Sequence, residues 1–346
     1  MAKSVVIVGG SLAGLMHGIQ HKRLGNNVTV LKQDTGERAG QGSGIIIGDA
    51  VNEFYVYRKK TPMGLASWGL IYRLLRANFY GLASAAYAKP PPPLPGDGAV
   101  SYLSGKKVTR LETAASSVMV HFVDVTTNEA CSLSANLVLG ADGIHSTVCR
   151  LVESPTVERY AGYVLWRGTV REQELSKETR DYFFDYLKVR FNITKKSYLV
   201  GYAPIEAFTD VNGDYHRQTV PRGLVRPEVW ERARIHIQVS KPFAELLAKD
   251  GNPFVTKIND AFSSHACFHG GKVILVGDAF ASFRPHAASA LEQCALHSRS
   301  IERVHLGQGV LATRVIGDLG RGAVLSFISS VVLYWTFILV HKLRRG

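Results

Sequence analysis

The sequence predicts an α/β fold in which a Rossmann-like sheet carries a β-meander and is interleaved with a smaller α+β domain. Three observations carry this expectation. Residues 4–14, SVVIVGGSLAG, run an apolar strand through glycines straight into a helix. Two later apolar runs, LVLGADGIHSTVCR at 137–150 and VILVGDAFASF at 273–283, also end in Gly and Asp. Between the first of these motifs and the second, residues 106–133 alternate short β-rich runs with polar turns. Apolar runs that stop at glycine turns are the pattern of buried parallel strands feeding helices.

Taken in order, residues 4–8 read as a strand, 12–24 as a helix stopped by Gly25-Asn26, and 27–31 as the next strand. The runs 108–111, 118–123 and 130–133 form the meander, and 136–140 is a further apolar strand. Strands follow at 163–170 and 197–203, helices at 228–237 and 242–249. A buried strand at 272–276 enters Gly277-Asp278, and a helix covers about 288–304. Strands from the start, middle and end of the chain thus share one sheet, so the domain is discontinuous. It takes residues 1–160 as its first part, with an inserted segment near 52–100, and 265–320 as its last; 161–264 form the smaller domain. Residues 89–95, KPPPPLP, are a stiff polyproline connector.

Composition narrows the function classes. The chain has 346 residues, 46% of them hydrophobic, enough for a large core. Its formal net charge is +13, but the basic residues are scattered and no nucleic-acid module is visible, so no nucleic-acid partner is expected. Cys131, Cys149, Cys267 and Cys294 lie far apart without a CxxC pair, which excludes a disulfide framework and fits a reducing, intracellular compartment. His17 with His21, and His265 with Cys267 and His269, supply too few convergent ligands for a metal, and none is expected. Residues 321–346 form a hydrophobic tail in which 323–340 carry no charge, a candidate membrane helix at the lower edge of spanning length. Basic residues follow that run, against the positive-inside tendency for a cytosolic domain, and a buried or interfacial helix is the alternative.

The first glycine turn carries chemistry of its own. A strand that ends in glycine and opens a helix aims backbone N–H groups and the helix dipole at a pyrophosphate. Gly9 makes the tight turn and Gly14 the close helix–strand contact, while Ser11 stands where the second glycine of GxGxxG normally sits. The acid expected at the end of the second strand, for a ribose, is replaced by Lys32; Asp34 is a substitute two residues on, on the same strand face. Asp142 and Asp278 each follow a strand, where they serve either a ligand or a helix N-terminus.

The second and third motifs, in this order, resemble the DG and GD fingerprints of the flavin-dependent aromatic hydroxylases, the group of para-hydroxybenzoate and salicylate hydroxylases. VVGGSLAGL, ERAGQGSGI, AGYVLWRGTV and RPHAAS are similar to its 2,6-dihydroxypyridine hydroxylase branch and fungal relatives, and the resemblance covers roughly residues 4–320. It implies an FAD/NAD(P)-binding fold and an FAD-dependent monooxygenase that uses NADPH or NADH and O2. The substrate would be an electron-rich aromatic, enolic or alkene small molecule, hydroxylated or epoxidised in a secondary-metabolite pathway. A catalytically silent flavin-binding protein, tethered to a membrane by its tail, is the alternative.

By that resemblance Gly9, Ser11 and Gly14 line the pyrophosphate site beside Lys32, and Asp278 binds the FAD ribitol. Arg38 lies near the pyrophosphate and the NADPH path, and Asp142 with Gly143 touch FAD and the pyridine nucleotide. Pro285, Ala288 and Ala290 stand in the PxxGxG position, where a helix start would face the flavin pyrimidine and stabilise its anionic reduced form. His286 is a candidate substrate polariser or proton relay, although no protein group is essential when the flavin supplies the chemistry.

Overall fold

A computed structural model describes residues 2–36, 44–54, 64–85, 87–154, 156–187, 197–203, 210–214, 219–221, 223–231, 241–250, 254–283 and 290–305. In chain order the elements of the first region are β1 (Ser4–Val8), α1 (Leu12–Arg23), β2 (Asn27–Lys32), β3 (Gly44–Ile47), α2 (Asp49–Phe54), β4 (Gly64–Ser67) and α3 (Trp68–Tyr80). Then come β5 (Val100–Ser104), β6 (Lys106–Thr113), β7 (Val118–Asp124), β8 (Ala130–Ala135), β9 (Leu137–Gly140) and α4 (Thr147–Leu151). The remainder comprises β10 (Thr156–Val170), α5 (Lys177–Leu187), β11 (Ser197–Ala203), β12 (Thr219–Val220), α6 (Lys241–Lys249), β13 (Phe254–Ser263), β14 (Cys267–Phe268), β15 (Val273–Leu275), β16 (Ala281–Ser282) and α7 (Ala290–His305).

The main sheet has the order β14-β15-β9-β1-β2-β5, parallel throughout except for the β14 edge. Its strands are apolar on both faces because both are covered. Val5, Ile7, Val28, Val30, Leu139 and Ile274 point into one core with residues of α1, α3 and α7. The alternate residues Val6, Val8, Leu31, Val138, Val273 and Leu275 point into a second core beneath the meander β6-β7-β8 and α4. The two-residue period of a strand thus divides one hydrophobic run between two layers. The Rossmann-like sheet and the β-meander expected from the sequence are both present.

Several details differ from the sequence pattern. β10 starts seven residues earlier than the strand expected at 163, because Thr156–Tyr160 pair with Asn259–Ser263 of β13 before a register shift. The 106–133 segment and the helix stop at Gly25 stand as expected, with Gly25 at φ +75°. The helix expected at 228–237 is described only over its first turn, and residues 232–240 lie outside the described residues. The 323–340 segment also lies outside them; among the described residues no helix is long and apolar enough to cross a membrane.

A second sheet, β11-β10-β13-β12, is antiparallel, and β16 pairs with β13 through Ala261↔Ser282 and Phe262↔Ala281. Since β16 follows β15 after only five residues, it ties the turn after β15 directly to the second sheet. On the opposite side Lys22 of α1 is buried, donates to the carbonyls of Asn78 and Phe79 at the end of α3, and pairs with Asp97 at 3.3 Å. Those bonds satisfy helix-end carbonyls that have no partner of their own, and they anchor the chain that follows the polyproline connector.

The glycine requirement is strictest at Gly14, where a Cβ would run into the Gly9 carbonyl and lie 3.3 Å from Ile7 Cγ2. Gly14→Val should therefore cost about 3 kcal/mol, the upper end of the usual range for overpacking with backbone displacement. Thermal or urea unfolding measures it; a loss within about 0.5 kcal/mol would show that α1 shifts freely against β1.

Candidate functional site

The carboxyl ends of β2, β1, β9 and β15 lie side by side, and the chain leaves β1 for neighbours on both sides of it. Such a point of divergence opens a crevice at the strand ends. The three glycine turns meet there. Gly9, at φ +111°, is pressed so close to Ala141 that a Cβ would strike its carbonyl and approach Asp142 N to 2.7 Å. Gly277, at φ +57°, faces Ala13, whose Cβ would be 2.9 Å from a Cβ on the glycine. The first motif is therefore in direct contact with the second at one residue and with the third at another.

Ser11 is the N-cap of α1, yet its side chain makes no capping bond and the first turn carries no acid. The leading N–H groups of α1 therefore keep their capacity for an anion from outside the helix. Lys32, the last residue of β2, is buried and donates from Nζ to the Gly36 carbonyl at 2.5 Å. The expectation for Asp34 is corrected: β2 ends at Lys32, so Asp34 is not on the strand face and lies exposed beyond it.

A tyrosine cluster missed in the sequence borders this edge. The Tyr102 hydroxyl of β5 donates to Gly10 O at 2.8 Å, so the Tyr72 hydroxyl, 3.0 Å away, must donate to it in turn. Gly10 is needed for that approach, since a Cβ would come 2.5 Å from the Tyr102 hydroxyl. Burial pushes the Tyr102 phenol well above its ordinary range, with the Tyr72 bond adding to the effect, so it remains a donor. The Arg76 guanidinium sits 5.2, 5.5 and 5.4 Å from the ring centres of Tyr72, Tyr80 and Tyr102. Tyr72, Arg76 and Tyr80 share one face of α3 at a spacing of four, but Tyr102 of β5 joins them only in the folded chain.

At the second turn Asp142 faces α4. Its carboxylate accepts from the Ser146 hydroxyl at 2.5 Å and from the N–H groups of Thr147 and Val148 at 2.6 and 3.1 Å. Burial still leaves its carboxyl above the ordinary range despite those bonds. The carboxylate is thus engaged with a helix start. Gly143, at φ +83° with open space around it, turns the chain beside the crevice.

Asp278 behaves differently. Among the described residues its carboxylate accepts no hydrogen bond, and burial pushes its pKa up to about 6. It borders a cleft whose other walls include His145, Arg150, Glu158, Phe262 and Phe280. An unpartnered, desolvated carboxylate calls for hydroxyl or amide donors from a ligand. Ala290 is the exposed first residue of α7, whereas Arg38, Pro285, His286 and Ala288 lie outside the described residues. Nor does any group of three or more His, Cys, Asp or Glu side chains among the described residues form a metal site.

Comparison with known proteins bears on this site. Residues 160–207 and 202–260 match the family model described as FAD binding domain-like. The chain is 25% identical over 354 residues to the 2,6-dihydroxypyridine 3-monooxygenase of Paenarthrobacter nicotinovorans, covering 87% of this chain and 82% of that protein. The solved 2,6-dihydroxypyridine-3-hydroxylase from Arthrobacter nicotinovorans superposes with a TM-score of 0.71 at 22% identity, over 93% of this chain and 88% of that one. The flavin-dependent monooxygenase PieE, solved in complex with FAD and substrate, gives 0.68 at 14% identity over 96% of this chain and 64% of that one. Three glycine turns closed on one strand end, in a chain that aligns along most of its length with a dihydroxypyridine monooxygenase, make it similar to the FAD-dependent aromatic hydroxylases in sequence and in fold.

Proposed function

We propose that the chain is an FAD-dependent monooxygenase that hydroxylates or epoxidises an electron-rich aromatic, enolic or alkene small molecule, using NADPH or NADH and O2. Bound FAD supplies the redox and oxygen chemistry. The observation that carries the reading is Asp278: a carboxylate that accepts no hydrogen bond among the described residues, just past the end of β15, on the turn that packs against the start of α1. FAD offers matched groups, with ribitol hydroxyls for the carboxylate and a pyrophosphate for the N–H groups after Ser11. Gly9 and Gly14 keep that approach free of side chains, and Gly143 turns the chain beside it.

The other residues take roles by position. Lys32 replaces the ribose acceptor with a donor and lies beside Gly10, where it favours phosphate oxygens. Arg38 is proposed for the pyrophosphate and the NAD(P)H path. Pro285, Ala288 and Ala290 are proposed to open α7 towards the flavin pyrimidine edge, and His286 for the substrate or a proton. Asp142 acts through α4 and the shape of the DG turn, since its oxygens are engaged there. A hydroxypyridine-like ring in a secondary-metabolite pathway is the substrate class favoured, on the similarity to the dihydroxypyridine enzyme. Membrane attachment through 323–340 gains no support from the relatives.

Two measurements test this. At pH 8 the purified chain should take up FAD, and Asp278→Asn should weaken binding roughly ten- to a hundredfold, as expected for charge-assisted bonds. The pH dependence has a definite sign. The folded Asp278 holds its proton up to about 6 while an unfolded one releases it near 3.8, so its burial destabilises the apo protein as pH rises through that window. Ribitol hydroxyls favour the ionised carboxylate, so FAD affinity should rise with pH through about 6 and then level. D278N should flatten that rise; no uptake of FAD at any pH would overturn the reading.

Activity is the second test. NADPH and NADH oxidation and oxygen uptake, followed with a panel of phenols and hydroxypyridines, should show substrate-stimulated turnover with a hydroxylated product. Bound FAD without stimulation by any member of the panel would favour the catalytically silent flavin-binding protein.

A further inference from the structure

α7 presents two polar side chains, Gln293 and His297, four residues apart and so on one helical face. Both are buried, and both reach the turn that carries Asp278. Gly277 N donates to His297 Nδ1 at 3.0 Å. Gln293 Nε2 donates to Gly277 O at 3.3 Å and to Ala281 O at 3.0 Å. We propose that Gln293 and His297 are positioning residues for Asp278: together they fix both polar atoms of Gly277 and so aim the neighbouring carboxylate into the cleft. The proposal rests on the FAD reading and goes beyond it, because neither side chain borders the cleft.

Chemistry dictates the form of both groups. An imidazole that accepts through Nδ1 must be neutral and carry its proton on Nε2. Burial supports this by lowering the His297 pKa to about 3. The Gln293 amide is equally constrained, since the opposite orientation would set its oxygen against two carbonyl oxygens. Gln293 Oε1 has no partner among the described residues, so the side chain gives up an acceptor site to keep both donations. The turn has little room to adjust: a Cβ on Gly277 would meet Ala13 Cβ at 2.9 Å and Cys294 Sγ at 3.2 Å. The Phe280 ring packs edge-on against the imidazole at 5.9 Å.

The surrounding titratable groups suit a neutral histidine. From α1, His17 is fully buried, and burial with the nearby His297 and His21 holds it well below its ordinary pKa. From α7, Cys294 is a thiol pushed up by burial and by Asp278. Across the cleft, His145 lies 3.7 Å from Glu158. The fixed cation bordering this cleft is Arg150 of α4, which donates to the His145 carbonyl and to Thr147 Oγ1 and can only draw the carboxylate into the cleft; the turn and the two side chains that hold it set the base from which Asp278 points there.

The test uses the full chain, with FAD affinity measured from pH 4 to 9 and apo melting recorded for each variant. His297→Phe should weaken FAD binding at least tenfold at pH 8. It should also move the pH midpoint of affinity from about 6 down towards the ordinary carboxylate range, as Asp278 swings into water. A merely destabilised fold would lower the melting temperature without moving that midpoint. His297→Asn, whose Oδ1 can accept from Gly277 N, should bind within about threefold of wild type; equal weakness in H297N and H297F would overturn the acceptor role. Gln293→Leu should shift the midpoint in the same direction and decides the matter if H297F is not recovered folded. Wild-type affinity and midpoint in H297F and Q293L would overturn the clamp alone, whereas a wild-type chain that takes up no FAD would overturn the cofactor reading with it.

Discussion

The contact on which the rest depends is the closure of three turns around the end of β1, with Gly9 against Ala141 and Gly277 against Ala13. Strands from residues 4, 137 and 273 must lie in one parallel sheet for these turns to meet, and such a sheet exists only if both faces are covered. The coverage explains the layer order: α1, α3 and α7 close one face, and the meander with α4 closes the other. Backbone bonds carry the ladder past the strand ends, from Gly9 N to Leu31 O, Ala141 N to Val8 O and Val276 N to Gly140 O. The turns thus inherit the rigidity of the sheet, and a side chain at Gly9 or Gly277 would part them.

α7 locks the arrangement from behind. Glu292 accepts from Ala50 N at 2.6 Å and from Val51 N at 3.3 Å, so it caps α2. Six residues on, Ser298 bonds Gln20 of α1. Between them Gln293 and His297 reach the Gly277 turn. One helix thereby connects the first strand–helix unit, the α2 segment and the turn that bears Asp278. Polar side chains suit this buried face because each is bonded: Glu292, Gln293 and His297 to backbone groups and Ser298 to the Gln20 side chain.

The parts legible in the sequence are those where local pattern and tertiary need coincide. The glycine turns are visible because a tight exit from a buried strand admits few other residues, and the meander shows through its regular alternation. The start of β10 is not legible in the sequence because its first five residues, TVERY, alternate weakly and become a strand only by pairing with β13, a partner about a hundred residues away. Asp34 was read onto a strand that ends two residues earlier. The meeting of Tyr102 with Tyr72 and Arg76, and of Gln293 and His297 with the Gly277 turn, left no signal, since each residue alone is an ordinary member of a helix or strand. Asp142 and Asp278 look alike in sequence, both following a strand; only the packing of α4 shows that one carboxylate serves the protein, while the other accepts no hydrogen bond among the described residues.

That difference shifts the weight of cofactor recognition along the crevice. An acid at the end of β2 would accept from a ribose but would also place a negative charge near the pyrophosphate. Lys32 reverses the sign at this position, and its own ammonium is steadied by the Gly36 carbonyl. The loop beside it is stiffened by neutral hydroxyls, Tyr72 to Tyr102 to Gly10 O, which add no charge that would repel phosphate. On the proposed reading the nucleotide end therefore relies on backbone donors and favourable charge, whereas the isoalloxazine end relies on the single carboxylate of Asp278. A carboxylate that accepts no hydrogen bond among the described residues gains most from a ligand that satisfies it, so on this reading selectivity for a hydroxyl-bearing chain concentrates there.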